Sequence, residues 1–121
     1  MTNPEFEAIP DYEALPETAS GRGPGVGQDL NKVKPAEILD RDIAIMGFMI
    51  QPNRFKETDK DADETTLFEF MDAAGDRFCF WHTSDVLQRQ AEARWERQEV
   101  TWKTRLTMAD GKSGRTYYTF A

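Results

Sequence analysis

One cysteine, Cys79, and one histidine, His82, are all that these 121 residues hold of the two most versatile ligating and catalytic side chains. A lone cysteine excludes an intramolecular disulfide framework and fits a reducing compartment. One of each falls short of the four Cys and His ligands of a structural zinc site. No apolar run reaches the roughly 18 residues that a membrane-spanning helix needs. The opening "MTNPEFEAIPDYEALPE" is acidic and broken by prolines, without the basic start and apolar centre of a signal peptide, so the expected location is the cytoplasm. The length allows one domain, which at this size buries about two-thirds of its unfolded surface without staples.

Catalytic and ligand-holding motifs are also scarce. "GRGPGVG" (residues 21–27) has the glycines of a phosphate loop but follows no predicted strand and lacks the Gly-Lys-Ser/Thr ending. "KETDKDADE" (residues 56–64) places acids at alternating positions. Counted from Asp59, however, the sixth position is Glu64 rather than glycine and the twelfth is Phe70 rather than glutamate, so the calcium-loop pattern fails. Ser84 near His82 has neither an oxyanion loop nor an acid partner evident in sequence. The expectation is therefore a binding protein, not an enzyme, with no cofactor and no metal.

The net charge of −7 is unevenly spread. Residues 1–30 carry six acids and one base, Arg22, whereas from Arg89 onward seven bases face four acids. Such asymmetry separates an acidic tail from a basic C-terminal third. Pro4, Pro10 and Pro16 prevent a long helix near the start, and "SGRGPGVG" (residues 20–27) has the composition of a flexible linker. Residues 1–33 are accordingly expected to form an acidic tail and linker, disordered or docked. Phe6, Ile9, Tyr12 and Leu15, spaced among its acids, suit docking on a basic groove or a protein partner. Residues 34–121 are expected to form the folded domain.

In that domain "KPAEILD" suits a short helical turn with Pro35 first. "DIAIMGFMIQP" (residues 42–52) is apolar on both faces, as a covered central strand is, and Gly47 marks a bulge or bend. "TTLFEFMD" and "DRFCFWHT" read as a hairpin with Gly75 in its turn. A helix follows, capped by Thr83 or Ser84, with Leu87, Ala91 and Trp95 as its buried stripe. "EVTWKTRLTM" and "RTYYTFA" are the last two strands, joined by "ADGKSG".

The order is β-β-β-α-β-β: mainly β, with one helix between the third and fourth of five strands. It resembles an OB-fold barrel of the kind found in small phage-encoded single-stranded-DNA-binding proteins, over residues 36–121, through element order and a "GRTYYTF" closing strand. The resemblance implies sequence-tolerant binding of single-stranded DNA, with RNA as the alternative, in phage replication or recombination inside a bacterial host. It departs from those proteins in carrying its acidic tail at the N-terminus.

Alternation assigns the faces. Trp102, Leu106, Phe68, Phe70, Phe78, Phe80, Tyr118 and Phe120 are expected inside. Arg77, Cys79, Trp81, Lys103, Arg105, Arg115 and Tyr117 are expected outside. Single-strand binding needs a basic track for phosphates and exposed rings for bases. The candidate nucleic-acid-binding set is therefore Phe48, Arg54, Phe55, Lys56, Arg77, Trp81, Lys103, Arg105, Arg115 and Tyr117. The alternative is a protein-interaction module, such as an inhibitor or assembly adaptor, which the net negative charge favours.

Overall fold

The computed structural model describes residues 21–23, 25–54, 57, 63–99, 101–111 and 114–121. Strand β1 (Gly21–Arg22) is followed by a 3-10 turn (Pro35–Ile38), β2 (Asp42–Pro52), β3 (Glu64–Met71), β4 (Arg77–His82), helix α1 (Asp85–Glu96), β5 (Trp102–Asp110) and β6 (Thr116–Phe120). The spatial order is β4-β3-β2-β5-β6, antiparallel throughout, with β1 added parallel to β2. The described residues are thus mainly β, with one α-helix among them, where the sequence placed it.

The long β2 is central because both its faces are apolar. It pairs with β3 along most of its length but with β5 only over residues 42–45. A bulge at Met46 shifts the register against β3 between Ile45 and Gly47. The shift puts Phe48 and Ile50 on the same face as Ile43 and Ile45, where unbroken alternation would have opposed them. Curling around that inner face, the sheet encloses Phe68, Phe70, Phe80, Trp102, Leu106 and Phe120. Phe68 is their hub, with ring centroids 5.2 Å from Phe80 and 5.2 Å from Phe120.

Local chemistry sets the turns. Between β3 and β4 the Asp72 carboxylate accepts from the Ala74 and Asp76 amides, and Gly75 supplies the positive φ of +86° that the turn requires. At α1, Ser84 is extended and its hydroxyl accepts from the Leu87 amide, as an N-cap does. Leu87 and Ala91 bury against the inner face.

Among the described residues no ladder joins β4 to β6, so the sheet is an open, curled half-barrel. Side chains bridge the gap instead. The His82 ring meets Tyr118 edge-on at 4.7 Å. The Gln90 amide group both donates to the Phe120 carbonyl and accepts from the Phe120 amide, occupying the free edge of β6 as a neighbouring strand would.

Residues 21–23 and 25–33, expected to belong to a tail and linker either disordered or docked, are docked. They run as a strap from the free edge of β2, across the outer face of β3, to the free edge of β4. Gly21 and Arg22 pair with Gly47 and Phe48, Gly23 donates to the Phe48 carbonyl, and the Gly27 amide donates to the Glu69 carboxylate. Val33 donates to the Cys79 carbonyl and Cys79 donates to that of Asn31. Val26 is only 2% exposed, packed with Leu67 and Cys79. Backbone pairing to two unprotected edges and one inserted valine order a segment whose composition carries no periodicity. The tail proper, residues 1–20, lies outside the described residues.

Candidate nucleic-acid interface

The ten candidate side chains fall into four groups. Phe48 is a correction: the bulge at Met46 turns it inward, where it is 1% exposed with the Arg22 guanidinium 5.3 Å from its ring centroid. It is a core ring and offers no stacking face.

Arg77 and Arg105 do lie on the outer side, but each is held by a buried acid. Arg77 bonds Glu69 at 3.1 Å, and Arg105 bonds Asp42, whose side chain is fully buried. A guanidinium already committed to a desolvated carboxylate contributes little to a phosphate track. Both acids lie on the same outer side, so a charge at an alternating position marked the face correctly without marking exposure.

Trp81 also points outward, yet it is half-buried against the cluster of Val26, Leu67 and Cys79 under the strap, where Cys79 is wholly buried. The Cys79 sulfur lies 3.7 Å from the Asn31 carbonyl and 3.9 Å from that of Leu30. Burial pushes the Cys79 thiol above its ordinary pKa, which keeps it protonated at neutral pH and unsuited to nucleophilic chemistry.

The remaining residues are more accessible. Arg54 is exposed at the start of the loop after β2, while Phe55 and Lys56 lie outside the described residues. On the β5–β6 hairpin, Arg115 and Tyr117 are exposed, and Tyr117 keeps 39% of its surface in solvent. Tyr117 stands opposite Ala109, with the Thr107–Thr119 pair next along the same face, then Arg105 and the half-buried Lys103. Four candidates therefore share this outer hairpin face: Lys103, Arg105, Arg115 and Tyr117. Small neighbours leave the Tyr117 ring clear on that side. Arg77 and Trp81 belong to the other half of the sheet, beneath the strap.

Sequence reasoning missed Trp95. Its spacing of four from Ala91 placed it in the buried stripe, but it sits near the helix end and is 39% exposed, one edge against Phe48 at 6.3 Å. Met108, at 44%, is the other large apolar side chain left in solvent on the hairpin. Each belongs to the inward parity of its element and outruns the core at its end, a signal that depends on the curl of the sheet and on no local pattern.

Two other features are less suited to a nucleic acid. A cleft of about 500 Å³ between the 3-10 turn and the β3–β4 turn brings Arg41 together with Glu37, Asp42 and Asp72 over Val33, Ile38, Phe70 and Phe78. With Asp42 held by Arg105, Glu37 and Asp72 still outnumber Arg41 in its lining, which disfavours phosphate. At the β4–β6 gap, Thr66 and His82 are cross-strand partners, and Thr66 Oγ1 and His82 Nδ1 are buried without a hydrogen-bond partner among the described residues. Burial holds the His82 pKa below its usual value, so the ring is neutral at pH 7 and supplies no charge to a ligand. An unsatisfied buried hydroxyl costs stability, so Thr66→Val should raise the unfolding free energy by about 1 kcal/mol in chemical denaturation. A loss of stability instead would show that the hydroxyl has a bound partner.

No three His, Cys, Asp or Glu side chains converge as metal ligands among the described residues, and no helix there is long and apolar enough to cross a membrane. Comparison with known proteins finds no matching family model, no matching curated protein and no matching solved structure.

Proposed function

We propose that this chain is a non-catalytic module that binds single-stranded nucleic acid on an OB-fold-like half-barrel. The observation that carries the reading is the sheet order β4-β3-β2-β5-β6 with α1 between β4 and β5. It matches the five-stranded order of an OB-fold, a partly open barrel that holds oligonucleotides with its second and third strands and two of its loops. Those loops correspond here to the segment after β2, which includes Arg54, and the β5–β6 turn, which is followed by Arg115 and Tyr117. Binding joins stacking on Tyr117, worth about 1–3 kcal/mol per base, to phosphate contacts by Arg54, Arg115 and Lys103. The acidic tail would then compete for the basic hairpin or recruit a replication partner.

One observation favours a second reading, a protein-interaction module. Arg77 and Arg105 are engaged by Glu69 and Asp42, which leaves fewer cations available for phosphate while the net charge stays at −7. Trp95, Met108 and Tyr117 would then serve as apolar anchors for a partner protein.

Titrating fluorescent oligo(dT) with the full chain and with Tyr117→Ala and Arg115→Ala separates the two. The nucleic-acid reading expects salt-sensitive binding that weakens about tenfold in Tyr117→Ala, the effect of losing one stacked base. It also expects Arg115→Ala to reduce the salt slope by about one unit. Salt-independent binding, or equal affinity in all three proteins, would remove the hairpin from the site.

A further inference from the structure

We infer that residues 21–33 are an autoinhibitory strap, which holds half of the binding surface closed and must lift before a single strand can occupy it. This rests on the nucleic-acid reading above. Beneath the strap, on the outer face of β2, β3 and β4, lie Met49, Leu67 and Trp81, flanked by Arg77 bonded to Glu69. Arg77 and Trp81 stand on one face of β4, at its two ends, and single-strand binding uses rings and cations spread along such a face. On the same sheet, the β5–β6 hairpin presents Tyr117 and Arg115 uncovered. Aromatic and basic groups are therefore present on both halves of the outer surface, and one half is closed by the chain itself.

The strap is also held more weakly than the sheet it covers. Among its described residues there is no helix, and the sheet pairing beyond isolated bridges is the two-residue β1. Of its described side chains only Val26 is fully buried, with Leu30 half-buried against the same cluster. Its centre is tied by the Gly27 amide to the Glu69 carboxylate at 3.0 Å and by long, weak contacts from the Cys79 sulfur to the Gly27, Leu30 and Asn31 carbonyls. The same carboxylate holds Arg77, so lifting the strap returns water to the ion pair and loosens the guanidinium for a phosphate. Segments with so few buried apolar groups open locally at a fraction of the global unfolding free energy.

Gly27 offers a lock. A Cβ built there would lie 3.4 Å from that of Cys79, close to the roughly 3.5–4.5 Å span of a disulfide. It would also meet the Leu67 Cδ2 at 2.7 Å, the far end of a side chain that can turn aside. In Gly27→Cys the oxidised protein has the strap tied to β4. The reduced protein has it strained, because φ is +72° at that position. The test measures oligo(dT) affinity of full-length Gly27→Cys in both redox states, with wild type under the same treatments, after mass spectrometry confirms the bond. A parallel arm measures alkylation of Cys79, the sole thiol, in wild type and in Val26→Ser.

The inference expects oxidised Gly27→Cys to bind about tenfold or more weakly than reduced, wild type to be indifferent to redox state, and Val26→Ser to alkylate about tenfold faster than wild type, the least that losing a buried valine implies. Equal affinity of the two redox states overturns it and leaves single-strand binding standing. Unchanged alkylation in Val26→Ser also overturns it, since the strap then does not open by itself. Fast alkylation with no oligonucleotide bound by any protein overturns the binding reading, and autoinhibition with it, while showing that the strap moves.

Discussion

Phe68→Ala is expected to lower the unfolding free energy by roughly 3–5 kcal/mol, the cost of removing a fully buried phenylalanine and leaving a cavity. Phe68 is wholly buried on β3 and touches rings from three other strands: Phe48 on β2, Phe80 on β4 and Phe120 on β6. The contact with Phe120 spans the gap where β4 and β6 are not paired, so the alanine removes packing that no backbone bond replaces. Against a typical total of about 5–15 kcal/mol, the loss unfolds a large fraction of the protein or moves its midpoint far to low denaturant. Urea unfolding followed by tryptophan fluorescence measures it. A loss under about 1 kcal/mol would mean that Phe68 is not the hub of the core.

The second large effect is expected from Arg105→Ala, at about 3 kcal/mol. The Asp42 side chain is fully buried, and Arg105 keeps 34% of its own side chain exposed, so most of the penalty falls on the acid left behind. Removing one partner of a buried pair strands a charge in a poorly solvated site, which is far costlier than losing a surface ion pair. Arg115→Ala, by contrast, alters an exposed side chain and should stay within about 0.5 kcal/mol of wild type. Denaturation of the two variants side by side separates structural arginines from available ones. If Arg105→Ala proves as mild as Arg115→Ala, Arg105 is not committed to Asp42 and returns to the phosphate track.

That division was only half legible in the sequence. Alternation placed Lys103, Arg105 and Tyr117 on the outer side of β5 and β6, because a period of two is a local property that survives into the sheet. It did not reveal that Asp42, 63 positions before Arg105, would be its cross-strand partner. Gly47 marked the irregularity in β2, but the bulge falls at Met46, and one extra residue was enough to turn Phe48 from a candidate binder into a core ring. The helix cap at Ser84 and the turn at Gly75 were readable because each depends on a few adjacent residues.

The strap was the least legible feature. Its order comes from edges that exist only after β2 and β4 are in place, and glycine-rich composition looks the same whether such a segment is free or paired. Cys79 and His82, the pair with which a reactive site would have been built, are separated by the sheet. Cys79 lies under the strap on the outer face, and His82 meets Tyr118 at the inner edge.

The central claim, that a single strand binds the outer surface of this half-barrel, is tested most directly by amide NMR of the isotope-labelled full chain during addition of oligo(dT). The account predicts saturable, salt-sensitive shifts at Arg54, Arg115 and Tyr117, with a second set at Gly27, Val33 and Cys79 as the strap lifts. A spectrum unchanged at low salt and excess oligonucleotide would contradict it and turn attention to a protein partner at Trp95, Met108 and Tyr117.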